Sequence, residues 1–275
     1  MKKNILTYVL TAFMTMLWTT NAQADKFGIS IGGVEITTDN YTDITAANGF
    51  QAITGGTVTY DPDTKTLTLS NVTIEQPNRP AIKNEGVDGL TIVCIGENKL
   101  SCETLASFMI SKGSATTLIG GKFTCISTKD CGIFVSDSHL TIQDCEITAT
   151  GQWGIAGYNV DSSDHLTINN STVRAKGDGN QGSICDFLTV TLNNCKISSP
   201  EGAAFDEKLY GIAKDGALVK EEIIITPEST GIGSVSSEDT SDANTIYSLD
   251  GRKLGTPQRG VNIIKKDNKT QKVIF

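Results

Sequence analysis

Over residues 67–199, apolar and polar positions alternate with a period of two in short runs, and the runs recur. Six share one form: Leu67-Thr68-Leu69, Leu90-Thr91-Ile92, Thr116-Thr117-Leu118, Leu140-Thr141-Ile142, Leu166-Thr167-Ile168 and Val190-Thr191-Leu192. Their starts lie 23, 26, 24, 26 and 24 residues apart. A second apolar column follows at Ile74, Leu100, Phe123, Ile147, Val173 and Ile197, and a third begins near Ala81-Ile82, Gly132-Ile133, Gly154-Ile155 and Gly182-Ser183-Ile184. Period-2 alternation places the Leu and Ile of each run on one face and the Thr on the other. A polar or small corner separates the first two strands of a unit at Asn71, Gly120, Asp144, Asn170 and Asn194, with Cys94 as the exception. Asn, Asp and Gly tolerate the left-handed backbone of a sharp bend.

No single unit of this kind can bury its own apolar face, but stacked coils about 4.8 Å apart can. The repeat predicts an all-β, right-handed single-stranded parallel β-helix of about six coils with a short C-terminal β-hairpin tail. An antiparallel β-sandwich is the competing architecture. The predicted organisation is residues 1–24 an export signal, 25–66 an N-terminal cap and hairpin, 67–226 the β-helix, 227–245 a linker and 246–275 the tail. Asp61-Pro62-Asp63-Thr64 reads as the hairpin turn of the cap. Residues 206–226 read as the cover of the other end, since open strand edges must be shielded.

The export signal rests on Lys2 and Lys3, an apolar run from Ile5 to Trp18 and the small-residue exit Ala22-Gln23-Ala24. That run is too short to span a bilayer, which takes roughly 20 residues, so cleavage before Asp25 and no membrane insertion are expected. The net charge is -8, and removing the two lysines with no acid in the signal gives -8 - 2 = -10. Such a surface repels nucleic acid and anionic membranes, and disfavours acidic polysaccharides unless a cation such as Ca²⁺ mediates the contact.

Three stretches carry a family resemblance: Gly33-Val34-Glu35-Ile36-Thr37; Gly56 to Asp61 with Thr66-Leu67-Thr68-Leu69; and Leu90-Thr91-Ile92 with Gly96-Glu97-Asn98. Over roughly residues 28–205 the chain resembles a group of secreted bacterial parallel β-helix proteins of pectate-lyase-like fold, described as carbohydrate-binding-domain-containing. The resemblance implies the fold and a sugar-binding role. Residues 227–245 are rich in Ser, Thr, Glu, Asp and Gly and read as a linker. Beyond it, Ile246 to Leu254 and Gly260 to Ile264 resemble the C-terminal sorting tails of type IX secretion cargo. The Asp250-Gly251 pair is a hairpin signal by itself.

Seven cysteines leave at least one unpaired. The repeat places Cys145 and Cys195 two coils apart, about 9.6 Å, beyond the reach of a disulfide. It places Cys102 and Cys125 in one inward column, continued by Ala149, Ala175 and Ser199. Buried thiols packing as small hydrophobes fit this pattern. No Cys-x-x-Cys pair exists to suggest a zinc ribbon.

Inverting glycosidases need paired carboxylates, and the Asn-Thr-Asp, Asp-Asp and Gly-His-Gly strings that supply them in polygalacturonases of this fold do not occur here. The two histidines, His139 and His165, share an outward column beside Thr141 and Thr167, with Asp137, Asp161 and Asp164 in nearby turns. Such a set is a candidate metal site or acid–base pair; a solvated polar corner is the plainer reading. The outward threonines Thr68, Thr91, Thr117, Thr141, Thr167 and Thr191 form a ladder that suits a polysaccharide or simply reflects β propensity. Trp153 and Tyr158 are candidate stacking platforms for pyranose rings. Two functional readings follow. One is a secreted or surface-exposed, non-enzymatic β-helix that binds polysaccharide or cell-surface glycan, or acts as an adhesin, with Ca²⁺ as the one candidate cofactor. The other is a polysaccharide lyase or glycoside hydrolase using His139, His165, Asp137 and Asp164 on the outer face.

Overall fold

In a computed structural model of the protein, residues 24–159, 163–228, 245–248, 251–259, 261–266 and 269–274 are described. The predicted export signal up to residue 23, Asp161 and most of the predicted linker lie outside them. The chain separates into two compact units, residues 1–228 and 229–275.

The first unit is a parallel β-helix of three sheets. The first sheet stacks Thr66–Ser70, Leu90–Ile95, Thr116–Ile119, His139–Gln143, His165–Asn169 and Thr189–Asn193, all parallel. The second stacks Thr73–Gln76, Glu97–Cys102, Lys122–Ser127, Glu146–Thr150 and Thr172–Lys176. The third stacks Ile82–Asn84, Phe108–Ser111, Cys131–Ser136, Trp153–Ala156 and Ile184–Cys185. Leu140, Ile142, Leu166 and Ile168 are fully buried, as are the third-sheet column Ile82, Phe108, Ile133, Ile155 and Ile184. Each such side chain contributes about 1.5–3 kcal/mol relative to exposure. The bends are left-handed at Asn71 (φ 50°), Asp144 (50°), Asn170 (42°) and Asn194 (53°).

The second coil departs from the expected register. Leu67 pairs with Ile92 rather than Leu90, and Thr66, not Thr68, heads the threonine ladder by pairing with Thr91. The first strand of this coil runs on to Ile95, so the bend falls at Gly96 (φ 67°) and Cys94 turns inward, 3% exposed. In the second sheet Leu100 faces Cys125, and Cys102 faces Ser127. The predicted shared column of Cys102 and Cys125 therefore does not exist, and all seven cysteines are free and buried.

At the N-terminal end antiparallel strands close each sheet: Lys26–Ile31 and then Val34–Thr37 on the third, Thr57–Asp61 on the first and Ile53–Thr54 on the second. Asp61 Oδ1 accepts from the Asp63 N–H at 3.0 Å, fixing the tight turn into the first coil. At the other end Ala204–Asp206, Gly211–Lys214 and Ala217–Leu218 form a meander. Strand Ile223–Pro227 then inserts antiparallel between Thr172–Lys176 and Cys195–Ser199, so Val173 faces Ile225 and not Ile197. The second unit is an antiparallel four-stranded sheet ordered Lys253–Leu254, Thr245–Ser248, Val261–Lys266, Lys269–Ile274, larger than the expected hairpin. Among the described residues no helix is long and apolar enough to cross a membrane.

Candidate functional site

The third sheet differs from the other two in carrying apolar side chains at one outward position on four successive coils. Met109, Phe134, Ala156 and Cys185 stand in register on successive coils and alternate with the inward Phe108, Ile133, Ile155 and Ile184. Trp153 pairs with Cys131 on the preceding coil. Ala106, Cys131, Ala156 and Cys185 form a small second core, against which Met109, Phe134, Trp153 and Leu218 pack half-buried. Burial drives up the Cys131 and Cys185 thiols, with Asp130 and Asp186 beside them adding to the shift, so these sulfurs stay protonated.

Tyr158 stands at the margin of this surface, 62% exposed. Its ring meets Phe134 edge to face at a centroid separation of 6.2 Å and an interplanar angle of 83°. The chain reaches it through Gly157, where any Cβ would overlap the Asp186 carbonyl. Its backbone N–H donates to Asp164 Oδ2 at 2.7 Å. Asp164 is fully buried and its other oxygen accepts from the Ser138 N–H at 3.2 Å. The carboxylate predicted as a metal or catalytic group thus links the Ser138 and Tyr158 backbones.

Toward the N-terminal end the same face opens into a groove of about 350 Å³, lined among others by Glu35, Asn78, Arg79, Lys83, Leu105 and Met109. The stem of Arg79 lies against Gly33 (φ 83°), where a Cβ would collide with it. Lys83 pairs with Glu85 at 2.5 Å and Lys112 approaches the same carboxylate at 3.4 Å. The Lys83 contact, helped by the charge of Lys112 and against the opposing effect of burial, holds Glu85 below the usual carboxylate range. Arg79 is exposed and makes no ion pair among the described residues.

His139 and His165 occupy partner positions on the outer face of the first sheet, with ring centroids 5.8 Å apart. Each is tied to a threonine on the next coil, His139 Nε2 to Thr167 Oγ1 at 2.9 Å and His165 Nδ1 to Thr189 Oγ1 at 2.8 Å. Burial, then the neighbouring His165, lowers the His139 pKa below its usual value. Asp137 is exposed at a left-handed turn (φ 49°). Among the described residues no three His, Cys, Asp or Glu side chains are grouped to hold a metal ion.

The structure therefore brings Trp153 and Tyr158 to one surface and the two histidines to another. Phe134 and Met109 were not singled out in the sequence, although the unbroken apolar run Cys131-Gly132-Ile133-Phe134-Val135 signals a strand buried on both faces. A family model described as the right-handed β-helix region matches residues 57–245. No curated protein and no solved structure gives a significant match.

Proposed function

Because the chain belongs to the right-handed β-helix family, whose stacked coils offer long regular outer faces, we propose that it binds glycan along the outer face of its third sheet and works outside the cell. The observation that carries this reading is the exposed Tyr158 ring braced against Phe134, on the same face as Trp153. Aromatic faces accept the C–H faces of pyranose rings, while their polar edges remain in water. The groove beside Arg79 and Glu35 provides donors and an acceptor for the hydroxyls of a sugar running on from the platform. With a net charge of -8 the chain favours neutral over acidic polysaccharides, unless Ca²⁺ bridges the two. The Lys2-Lys3 start and apolar run up to Trp18 support export, and the second unit is suited to a sorting or anchoring role at the cell surface.

A glycan array probed with the mature chain, with and without Ca²⁺ and followed by product analysis, tests the proposal. Saturable binding without cleavage, weakened by Tyr158→Ala or Trp153→Ala, is expected. Release of oligosaccharides that stops on changing His139 or His165 would replace binding with a lyase or hydrolase activity.

A further inference from the structure

Both histidines of the chain stand at one register position on adjacent parallel strands. The column is otherwise free of ionisable groups: Ala115 precedes Thr116, the partner of Leu140, and Thr189 follows His165. Each threonine hydroxyl engages one ring nitrogen and leaves the other, Nδ1 on His139 and Nε2 on His165, without a partner among the described residues. Imidazoles that ligate metals have this arrangement, with an outer hydrogen bond on one nitrogen orienting the ring; a hydroxyl can accept the N–H of that nitrogen and so leave the lone pair of the other for a metal.

The spacing also fits. A metal about 2.0–2.1 Å from an imidazole nitrogen stands about 3.2 Å from that ring's centroid, so two ligating rings lie about 5.2 Å apart at a tetrahedral bite and about 5.8 Å apart at about 130°. The observed centroid separation is 5.8 Å. The separation matches the wider bite as it stands, and the tetrahedral bite brings the rings about 0.6 Å closer.

We propose that His139 and His165 bind one late first-row divalent cation, Zn²⁺, Ni²⁺ or Cu²⁺, through Nδ1 of His139 and Nε2 of His165, with water in the remaining positions. Neutral nitrogen donors select such ions; Ca²⁺, which takes 6–8 oxygen ligands, is excluded from this pair. Two protein ligands make an exchangeable site, open to a further ligand from outside. The site lies on the first sheet, whereas the aromatic platform lies on the third, so its fate is independent of glycan binding.

The test is a calorimetric titration of the EDTA-stripped mature chain with Zn²⁺, paired with long-range ¹H–¹⁵N spectra of the two imidazoles. One ion per chain is expected, with His139 Nδ1 and His165 Nε2 shifting on binding. His139→Ala and His165→Ala should each weaken binding at least tenfold while far-UV circular dichroism stays unchanged. Zn²⁺ binding that survives in the double variant, imidazole nitrogens that do not move, or no saturable binding would each overturn the proposal. The wild-type spectra decide the matter even if a variant fails to fold.

Discussion

Replacing Asp164 by Asn keeps the shape of a side chain that has no solvent exposure but removes one acceptor. The carboxylate receives the Ser138 N–H at 3.2 Å and the Tyr158 N–H at 2.7 Å, one on each oxygen. An amide has a single oxygen, so one of the two N–H groups must face an NH₂. A buried donor left unmet costs about 1–3 kcal/mol, and the surviving bond loses roughly 1 kcal/mol of charge assistance. The sum is about 2–4 kcal/mol, which in a chain of this size lowers Tm by roughly 5–15 °C. Because the longer-reaching consequence is a loosened Tyr158 turn, glycan affinity should fall along with stability. Thermal unfolding followed by circular dichroism, with binding measured well below the transition, reads both. Asp137→Asn is the control: that residue is exposed and left-handed, a conformation Asn tolerates, so its change should stay within about 0.5 kcal/mol. A Tm for Asp164→Asn equal to that of the control would refute the assignment of Asp164 as the brace of the turn.

Further outcomes are expected. His139 has a folded-state pKa below its ordinary value, so the unfolded chain takes up its proton first. The associated stability is present above about pH 6.5 and is lost as pH falls toward the folded value; Tm in metal-free buffer should decline between pH 7.5 and 5.5, and less so in His139→Gln. Burial pushes Cys94 up to about 12 and Cys145 up to about 11. With all seven thiols buried, Ellman's reagent should find them unreactive in the folded chain and all seven reactive in guanidinium. Peptide mapping after mild oxidation should show no Cys102–Cys125 disulfide, since Cys102 faces Ser127 and Cys125 faces Leu100.

The coil architecture was legible because burial enforces a period of two within strands and a fixed chain length per coil. Register was less so, for a definite reason. A slip of one residue turns every side chain to the wrong face, but a slip of two preserves in and out. The pairing of Leu67 with Ile92 and of Leu100 with Cys125 is such a slip, and the apolar pattern is the same either way. The Ile223–Pro227 strand alternates like any other, and nothing local marks it as the one that inserts antiparallel. At the site, Trp153 and Tyr158 were visible as scarce aromatics near a strand. Their partner Phe134 was hidden because it sits in a run that reads as core. The aspartates were grouped with the histidines through proximity in sequence, yet Asp164 turns inward to backbone donors while His165, the next residue, projects outward.

The central claim is that glycan lies on the outer face of the third sheet, and hydroxyl-radical footprinting tests it most directly. Tyr158, Trp153 and Met109, the one methionine beyond residue 16, are all readily oxidised and all belong to that face. With a saturating polysaccharide from the array, oxidation of these three should fall several-fold while Tyr41 and Tyr210 are unchanged. Unaltered oxidation of Tyr158 and Trp153 under saturating ligand would contradict the account.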